Sequence, residues 1–258
     1  MGVDTRVALV AGGGRGIGRA IANRLGSDGY AVAVAARTLQ EIEEVADGIS
    51  SAGGIAQAYS LDITDADAVA NTVQDIVDRF GRLDVMVNSA AVSYIAPVML
   101  GKLEEWTRVV QINLLGAFSL SRAVLRPMLR AKGGRIVHIG SISGQIGAPF
   151  NAIYAASKAG INGLVRSLAL EVAPTGITVN AIAPGYVRSE LFGQTQGARA
   201  KLKGISLAEQ EADLVKETPT QRLVEPDEIA ALVSYLVSSN AASITGQVIA
   251  IDGGRTAT

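Results

Sequence analysis

Tyr154 and Lys158 stand four residues apart in Tyr-Ala-Ala-Ser-Lys. On a helix that spacing puts both side chains on one face. A phenol with its usual pKa of ~10 is a poor acid–base group at neutral pH. A nearby ammonium favours the phenolate and lowers that value, and an oxidised nicotinamide would add to the effect. Such a tyrosine could protonate a developing alkoxide or take a proton from an alcohol. Alone, a Tyr-x-x-x-Lys pair is common by chance and usually means two surface side chains. Two neighbours change the odds. Ser141 closes a short apolar run thirteen positions before Tyr154, where its hydroxyl could bond a carbonyl oxygen beside the phenol. Asn113 is a polar residue in the apolar helical stretch Gln-Ile-Asn-Leu-Leu-Gly-Ala-Phe. A buried amide needs partners. A relay through backbone, water and Lys158 would supply them, and so would a plain core hydrogen bond.

A second cluster suits a phosphate. Gly12-Gly13-Gly14-Arg15-Gly16-Ile17-Gly18 follows the first apolar run. Its glycines at 12, 16 and 18 are spaced G-x-x-x-G-x-G, unlike the dinucleotide fingerprint G-x-G-x-x-G. The physics is similar, because glycine lets the backbone approach a pyrophosphate and the next helix offers free N–H groups. At the end of the second apolar run an acid would bond a ribose 2′-hydroxyl and indicate NAD(H). This chain has Ala36 then Arg37, with Arg15 in the turn. Two guanidinium groups and no acid suit a 2′-phosphate, so NADP(H) is expected in preference to NAD(H).

These residues need a frame. Short apolar runs recur at Val7–Ala11, Tyr30–Ala36, Ile55–Leu61, Val85–Asn88, Arg135–Ile139, Thr178–Ala183 and Gln247–Ile251. Helical patterns separate them: about Gly16 to Ser27, Leu39–Ser51, a helix that Thr64 and Asp65 precede and that reaches Phe80, about Glu104 to Ala131, Tyr154–Val172 and Pro226–Val237. Apolar strands alternating with helices predict an α/β domain, a doubly wound parallel sheet of about seven strands covered on both faces. No linker or repeat divides the 258 residues, so one domain is expected. The charged, glycine-bearing segment 188–218 interrupts the alternation beyond a strand's carboxyl end, where open α/β sheets bind ligands, and is expected to act as a lid.

Composition narrows the chemistry. With 23 Lys plus Arg against 24 Asp plus Glu, the chain has no basic footprint for nucleic acid. It has no Cys, which excludes a thiolate metal site or a cysteine nucleophile. His138 is the sole histidine, on a strand and away from the Ser141 end. It is read as structural, and it leaves a Ser-His-Asp hydrolase poorly supplied, as does the lack of a G-x-S-x-G elbow. No metal site is expected. No secretory leader or membrane-length apolar run is found, so a soluble, cytoplasmic protein without a membrane partner is expected. Trp106 and Phe118 read as core or interface groups.

In order along the chain stand VAGGGRGIG, LDIT at 61–64, NSAA at 88–91, Asn113, Ser141 with YAASK, NAIAPGYVRS at 180–189 and ITGQVIAIDGG at 244–254. Through this ordered set the chain resembles the short-chain dehydrogenase/reductase family along almost its whole length. The resemblance implies a Rossmann-type domain and hydride transfer between NAD(P)H and a ketone or secondary alcohol. It makes Tyr154 the acid/base, has Lys158 hold the nicotinamide ribose, sets Ser141 on the substrate and gives Asn113 a part in a proton relay. It puts Asp62 and Ile63 by the adenine. Asn88 and Ala90 support the cofactor region, and Pro184, Gly185, Val187 and Ser189 lie along the nicotinamide. It also implies a homotetramer. The chain departs from the family at Ala11, at Ser89 and Ala91, and at Ser189, which keeps the hydroxyl of the usual threonine.

The expected substrate pocket comprises Val92, Tyr94, Ser143, Ile146, Phe150, Asn151, Tyr186, Leu191 and Phe192, mostly apolar and without a cation. A carboxylate substrate normally meets Arg or Lys. The 188–218 segment resembles 3-hydroxybutyrate dehydrogenases, but Ser143 and Asn151 stand where those place His and Lys. A 3-oxoacyl or other apolar ketone is therefore expected. An NAD-dependent dehydrogenase of 3-hydroxy acids or cyclic alcohols is the alternative, and a non-catalytic NADP-binding scaffold the rival of another class.

Overall fold

The computed structural model describes residues 5–257, so residues 1–4 and 258 of the expected domain lie outside them. Seven strands form one parallel sheet: β1 (Val7–Ala11), β2 (Ala31–Ala36), β3 (Ile55–Ser60), β4 (Val85–Asn88), β5 (Gly134–Ile139), β6 (Ile177–Pro184) and β7 (Val248–Ile251). Their order is β3-β2-β1-β4-β5-β6-β7. The order reverses between β1 and β4, which opens a crevice at the carboxyl edge where such sheets bind ligands. The doubly wound architecture is as expected.

Residues alternate between the two faces of each strand. Val7, Leu9 and Ala11 face a core with α3 (Ala66–Phe80), α5 (Gly116–Ala131) and α6 (Ala152–Val172). Ala8 and Val10 face a second core with α1 (Gly16–Ser27), α2 (Leu39–Ser51) and α9 (Pro226–Leu236). Strand β1 is buried throughout, which explains its uninterrupted apolar sequence, while the equally buried β6 carries Thr178 and Asn180. Local chemistry sets the helix ends. The Asp65 carboxylate caps α3 by accepting from the N–H groups of Asp67 and Ala68, and Gly81 ends that helix in the left-handed region at φ 80°.

One expectation changes, and the segment 188–218 gains its elements. The helix expected over 104–131 is α4 (Leu103–Val110), a π-turn over Gln111–Leu115, and then α5. Helical periodicity does not show the extra residue per turn, and Asn113 sits on that widened turn. The segment 188–218 is mostly two further helices, α7 (Glu190–Lys203) and α8 (Leu207–Glu217). Ser189 caps the first, accepting from the N–H of Phe192 at 3.3 Å. Ser206 and Glu209 form a reciprocal capping box on the second.

Candidate active site

The crevice at the carboxyl edge holds two adjoining clefts, of about 480 and 180 Å³. Ile17, Ser89, Ala91, Ser189 and Leu191 line both.

The larger cleft contains Ser141, Tyr154 and Lys158. Ser141 follows β5 and caps a tight turn, its Oγ accepting from the N–H of Ser143 at 3.1 Å. That turn lies hard against α6: a Cβ on Gly144 would come within 2.7 Å of the Lys158 carbonyl carbon. Glycine at 144 therefore lets the Ser141 turn reach Tyr154. Asn162 fastens the same contact, its Nδ2 donating to the Gly144 carbonyl at 3.1 Å.

Lys158 is buried, and its Nζ donates to the Ile139 carbonyl at 2.7 Å. The ammonium lies 5.7 Å from the centroid of the Tyr154 ring. Burial lowers the Lys158 pKa to about 8. The edge of Tyr154 opens to the cleft, but its surroundings push the phenol up to about 12, opposed by a hydrogen bond from Ser141. This corrects the expectation that Lys158 makes the phenol acidic in the protein alone. Desolvation of the phenolate wins, and the lysine spends its bond on a strand carbonyl.

Asn113 is buried at the π-turn. Its Oδ1 accepts from the Val92 N–H at 2.9 Å. Its Nδ2 donates to the Val92 carbonyl at 2.9 Å and to the Ser157 Oγ at 3.1 Å. Ser157 donates in turn to the Tyr154 carbonyl at 2.7 Å. The side-chain amide thus ties the loop after β4 to α6.

Gly12, Gly14, Arg15, Gly16, Ile17, Arg37, Asp62, Ile63 and Ala90 line the smaller cleft, with Thr38 and Glu41, which the sequence reading missed. Gly12 has φ +76°, and a Cβ there would lie 2.5 Å from the Ala90 N. Gly18 does not line the cleft. Its missing side chain lets α1 rest on the Gly12 carbonyl. Asn88 also stands back and braces the loop, its Oδ1 accepting from the Ala90 N–H at 3.1 Å. The Thr64 N–H holds the Asp62 carboxyl below its usual range, with help from the Thr64 hydroxyl and Arg37 and against its own partial burial. Arg15 pairs with Glu190 of α7 at 3.2 Å. The glycine cradle, the free N–H end of α1 and two guanidinium groups fit a dinucleotide bearing a 2′-phosphate.

Pro184, Gly185, Val187 and Ser189 line the larger cleft, as do Ser143, Ile146, Phe150, Asn151, Tyr186, Leu191 and Phe192. Val92 lines the smaller one. Tyr94 lines neither, because its hydroxyl turns away to accept from the Lys102 N–H at 3.2 Å. Three cations also line the larger cleft beside Lys158, namely Arg199, Lys203 and Arg255, against the expectation of none. The pattern Phe192, Gln196, Arg199, Lys203 on one stripe of α7 could have signalled this. His138 is fully buried, with Nε2 3.1 Å from the Ser121 Oγ, and burial lowers its pKa to about 3. It is a neutral core group. Phe118 is half exposed, which removes the core reading for it. Among the described residues no acid, His or Cys cluster could hold a metal ion, and no helix is long and apolar enough to cross a membrane.

Residues 11–256 match a family model described as enoyl-(acyl carrier protein) reductase. The chain is 36% identical over 254 residues to the 3-oxoacyl-[acyl-carrier-protein] reductase FabG of Vibrio cholerae, covering 98% of each. It is 39% identical over 251 residues to that of Staphylococcus aureus, covering 97% of this chain and 98% of the relative. Among solved structures, a variant actinorhodin polyketide ketoreductase with NADPH is 35% identical, with a TM-score of 0.95 over 98% of this chain and 97% of that one. The glycine turn, the Ser141–Tyr154–Lys158 cleft and full-length similarity agree, and the chain belongs to the short-chain dehydrogenase/reductase family of oxidoreductases.

Proposed function

We propose that this protein is an NADP(H)-dependent ketoreductase that reduces a ketone, of the 3-oxoacyl type, to a secondary alcohol. One observation carries the reading: Ser141, Tyr154 and Lys158 meet in one cleft that adjoins the glycine-lined cleft bearing Arg15 and Arg37. The reduced nicotinamide, when bound, supplies the hydride. Gly12, Gly14, Gly16 and the start of α1 hold the pyrophosphate, Arg15 and Arg37 the 2′-phosphate, and Pro184 to Ser189 the nicotinamide side. Ser141 donates a hydrogen bond to the substrate oxygen. Tyr154 gives its proton to that oxygen as negative charge develops on it. The high pKa of the phenol keeps that proton in place at neutral pH. Lys158 holds positive charge beside the ring and offsets the charge left on the phenolate. Asn113 keeps α6 in register through Ser157. Helices α7 and α8 close the cleft as the lid of a single domain.

The same reading includes a cytoplasmic homotetramer. Leu170 on α6 and Met99 near α4 are 81% and 89% exposed, which suits surfaces that a partner covers.

NADPH absorbance followed with a panel of 3-oxoacyl thioesters, β-keto esters and cyclic ketones tests the proposal. Turnover with NADPH preferred over NADH is expected. Absence of turnover across the panel despite NADPH binding would favour a non-catalytic cofactor-binding protein.

A further inference from the structure

Arg199 is the anomaly of the larger cleft. It lies on α7, is 9% exposed, and its Nε has no hydrogen-bond partner. Among the described residues no carboxylate forms an ion pair with it. A buried charge is normally paired, since desolvating an ion costs several kcal/mol. Its surroundings are also polar. Gln210 of α8 is 1% exposed and donates to the Gln196 Oε1 at 3.2 Å, while its own Oε1 has no partner. The cleft is lined by four cations, Lys158, Arg199, Lys203 and Arg255, against the single carboxylate Glu217. That carboxylate is already engaged by the Arg255 Nη2 at 2.9 Å. Lys158 is committed to the Ile139 carbonyl. Of the two buried cations without a carboxylate partner, Lys158 donates to a carbonyl while the buried Nε of Arg199 has no hydrogen bond, and exposed Lys203 stands one helical turn along.

We propose that Arg199 is a specificity-determining residue that binds a carboxylate carried by the substrate, so that the ketone reduced is a keto acid. This rests on the ketoreductase reading and narrows it. A guanidinium presents parallel N–H donors that match the two oxygens of a planar carboxylate. Ile146, Leu191 and Leu214 line the same cleft as Arg199 and Tyr154 and suit a carbon chain between two polar ends. A carboxylate site of this kind also explains why α7 keeps a buried cation. The incoming anion supplies the missing counter-charge and fastens both helices over the cleft.

The test compares 3-oxo acids of increasing chain length with their methyl esters, in NADPH-dependent turnover by wild type, Arg199→Leu and Arg199→Lys. Binding of the matching saturated carboxylates and carboxamides to the NADPH complex is measured calorimetrically on the same proteins. Wild type should favour the best acid over its ester by ~10-fold or more in kcat/KM. Arg199→Leu should bring that ratio close to one, mainly through KM for the acid, and abolish carboxylate binding. Arg199→Lys should restore part of the preference. Equal use of acid and ester by wild type would overturn the proposal, and it does not depend on any variant folding. So would equal loss for both substrates in Arg199→Leu. A phosphopantetheine thioester that alone depends on Arg199 would assign the site to a phosphate and overturn the keto acid. If no ketone is reduced but carboxylate binding is lost in Arg199→Leu, the anion site stands and the ketoreductase reading fails.

Discussion

The amide of Asn113 donates to the hydroxyl of Ser157 at 3.1 Å, across 44 residues of chain. This bond joins the π-turn between α4 and α5 to the second turn of the helix that bears Tyr154 and Lys158. Because Asn113 also brackets Val92 through both backbone groups, it sets the distance between the loop after β4 and the catalytic helix. Replacing it with leucine leaves the Val92 N–H and carbonyl unpaired. Asn113→Leu should lose ~1–3 kcal/mol of stability, read by urea denaturation, together with a lower kcat. Asn113→Asp keeps the acceptor for the Val92 N–H but buries a carboxylate against the Val92 carbonyl, and should cost at least as much as leucine at neutral pH.

Lys158 should oppose stability. Burial lowers its pKa to about 8 from an ordinary 10.5. Between those values the unfolded chain holds a proton that the folded protein has released, so stability rises with pH from 8 to 10.5. Below pH 8 the folded protein carries a buried ammonium at a cost. At ~1.4 kcal/mol per pH unit, less the lost bond to Ile139, Lys158→Met should gain ~2 kcal/mol at pH 7 and lose that advantage by pH 10.5. Thermal melts across pH check this, and turnover should collapse in the same variant.

Reduction needs Tyr154 protonated, and a phenol pushed up to about 12 stays so well above neutrality. The reduction kcat/KM should therefore fall between pH 7 and 9 only as Lys158, at about 8, loses the charge that offsets the phenolate. A profile with no inflection near 8 would contradict that role for Lys158.

Glu190 holds one N–H of Arg15 and competes with a phosphate for it, but the pair is exposed and weak, at ~0–1 kcal/mol. Glu190→Gln should tighten NADPH by a few-fold and leave NADH unchanged. Arg37→Ala should weaken NADPH ~10-fold or more with little effect on NADH. Fluorescence titration of both cofactors separates these outcomes.

The sheet and most helices were legible because β1 and β2 are buried on both faces and are apolar throughout, while α2 and α3 keep one apolar stripe. The site was legible where chemistry and spacing coincide, as in the glycine turn and in Tyr154 with Lys158. What could not be read was set by folding at a distance. The bonds from Asn113 to Val92 span 21 residues, and no local pattern reports them. The phenol's raised pKa follows from burial, which spacing on a helix does not convey. The charge on Arg199 looked like part of a solvated lid because its enclosure depends on how α7 and α8 cover the cleft. Tyr94 failed for the converse reason: it is near in sequence to the cofactor loop, yet a backbone N–H at Lys102 takes its hydroxyl away.

The most direct measurement is the rate of NADPH oxidation with a reducible 3-oxoacyl substrate by wild type and Tyr154→Phe, with NADPH affinity determined for both. The phenylalanine variant should bind NADPH within about twofold of wild type and turn over ~10² or more slower, the scale of general acid–base catalysis. Turnover within a few-fold of wild type would contradict the assignment of Tyr154 as the proton donor.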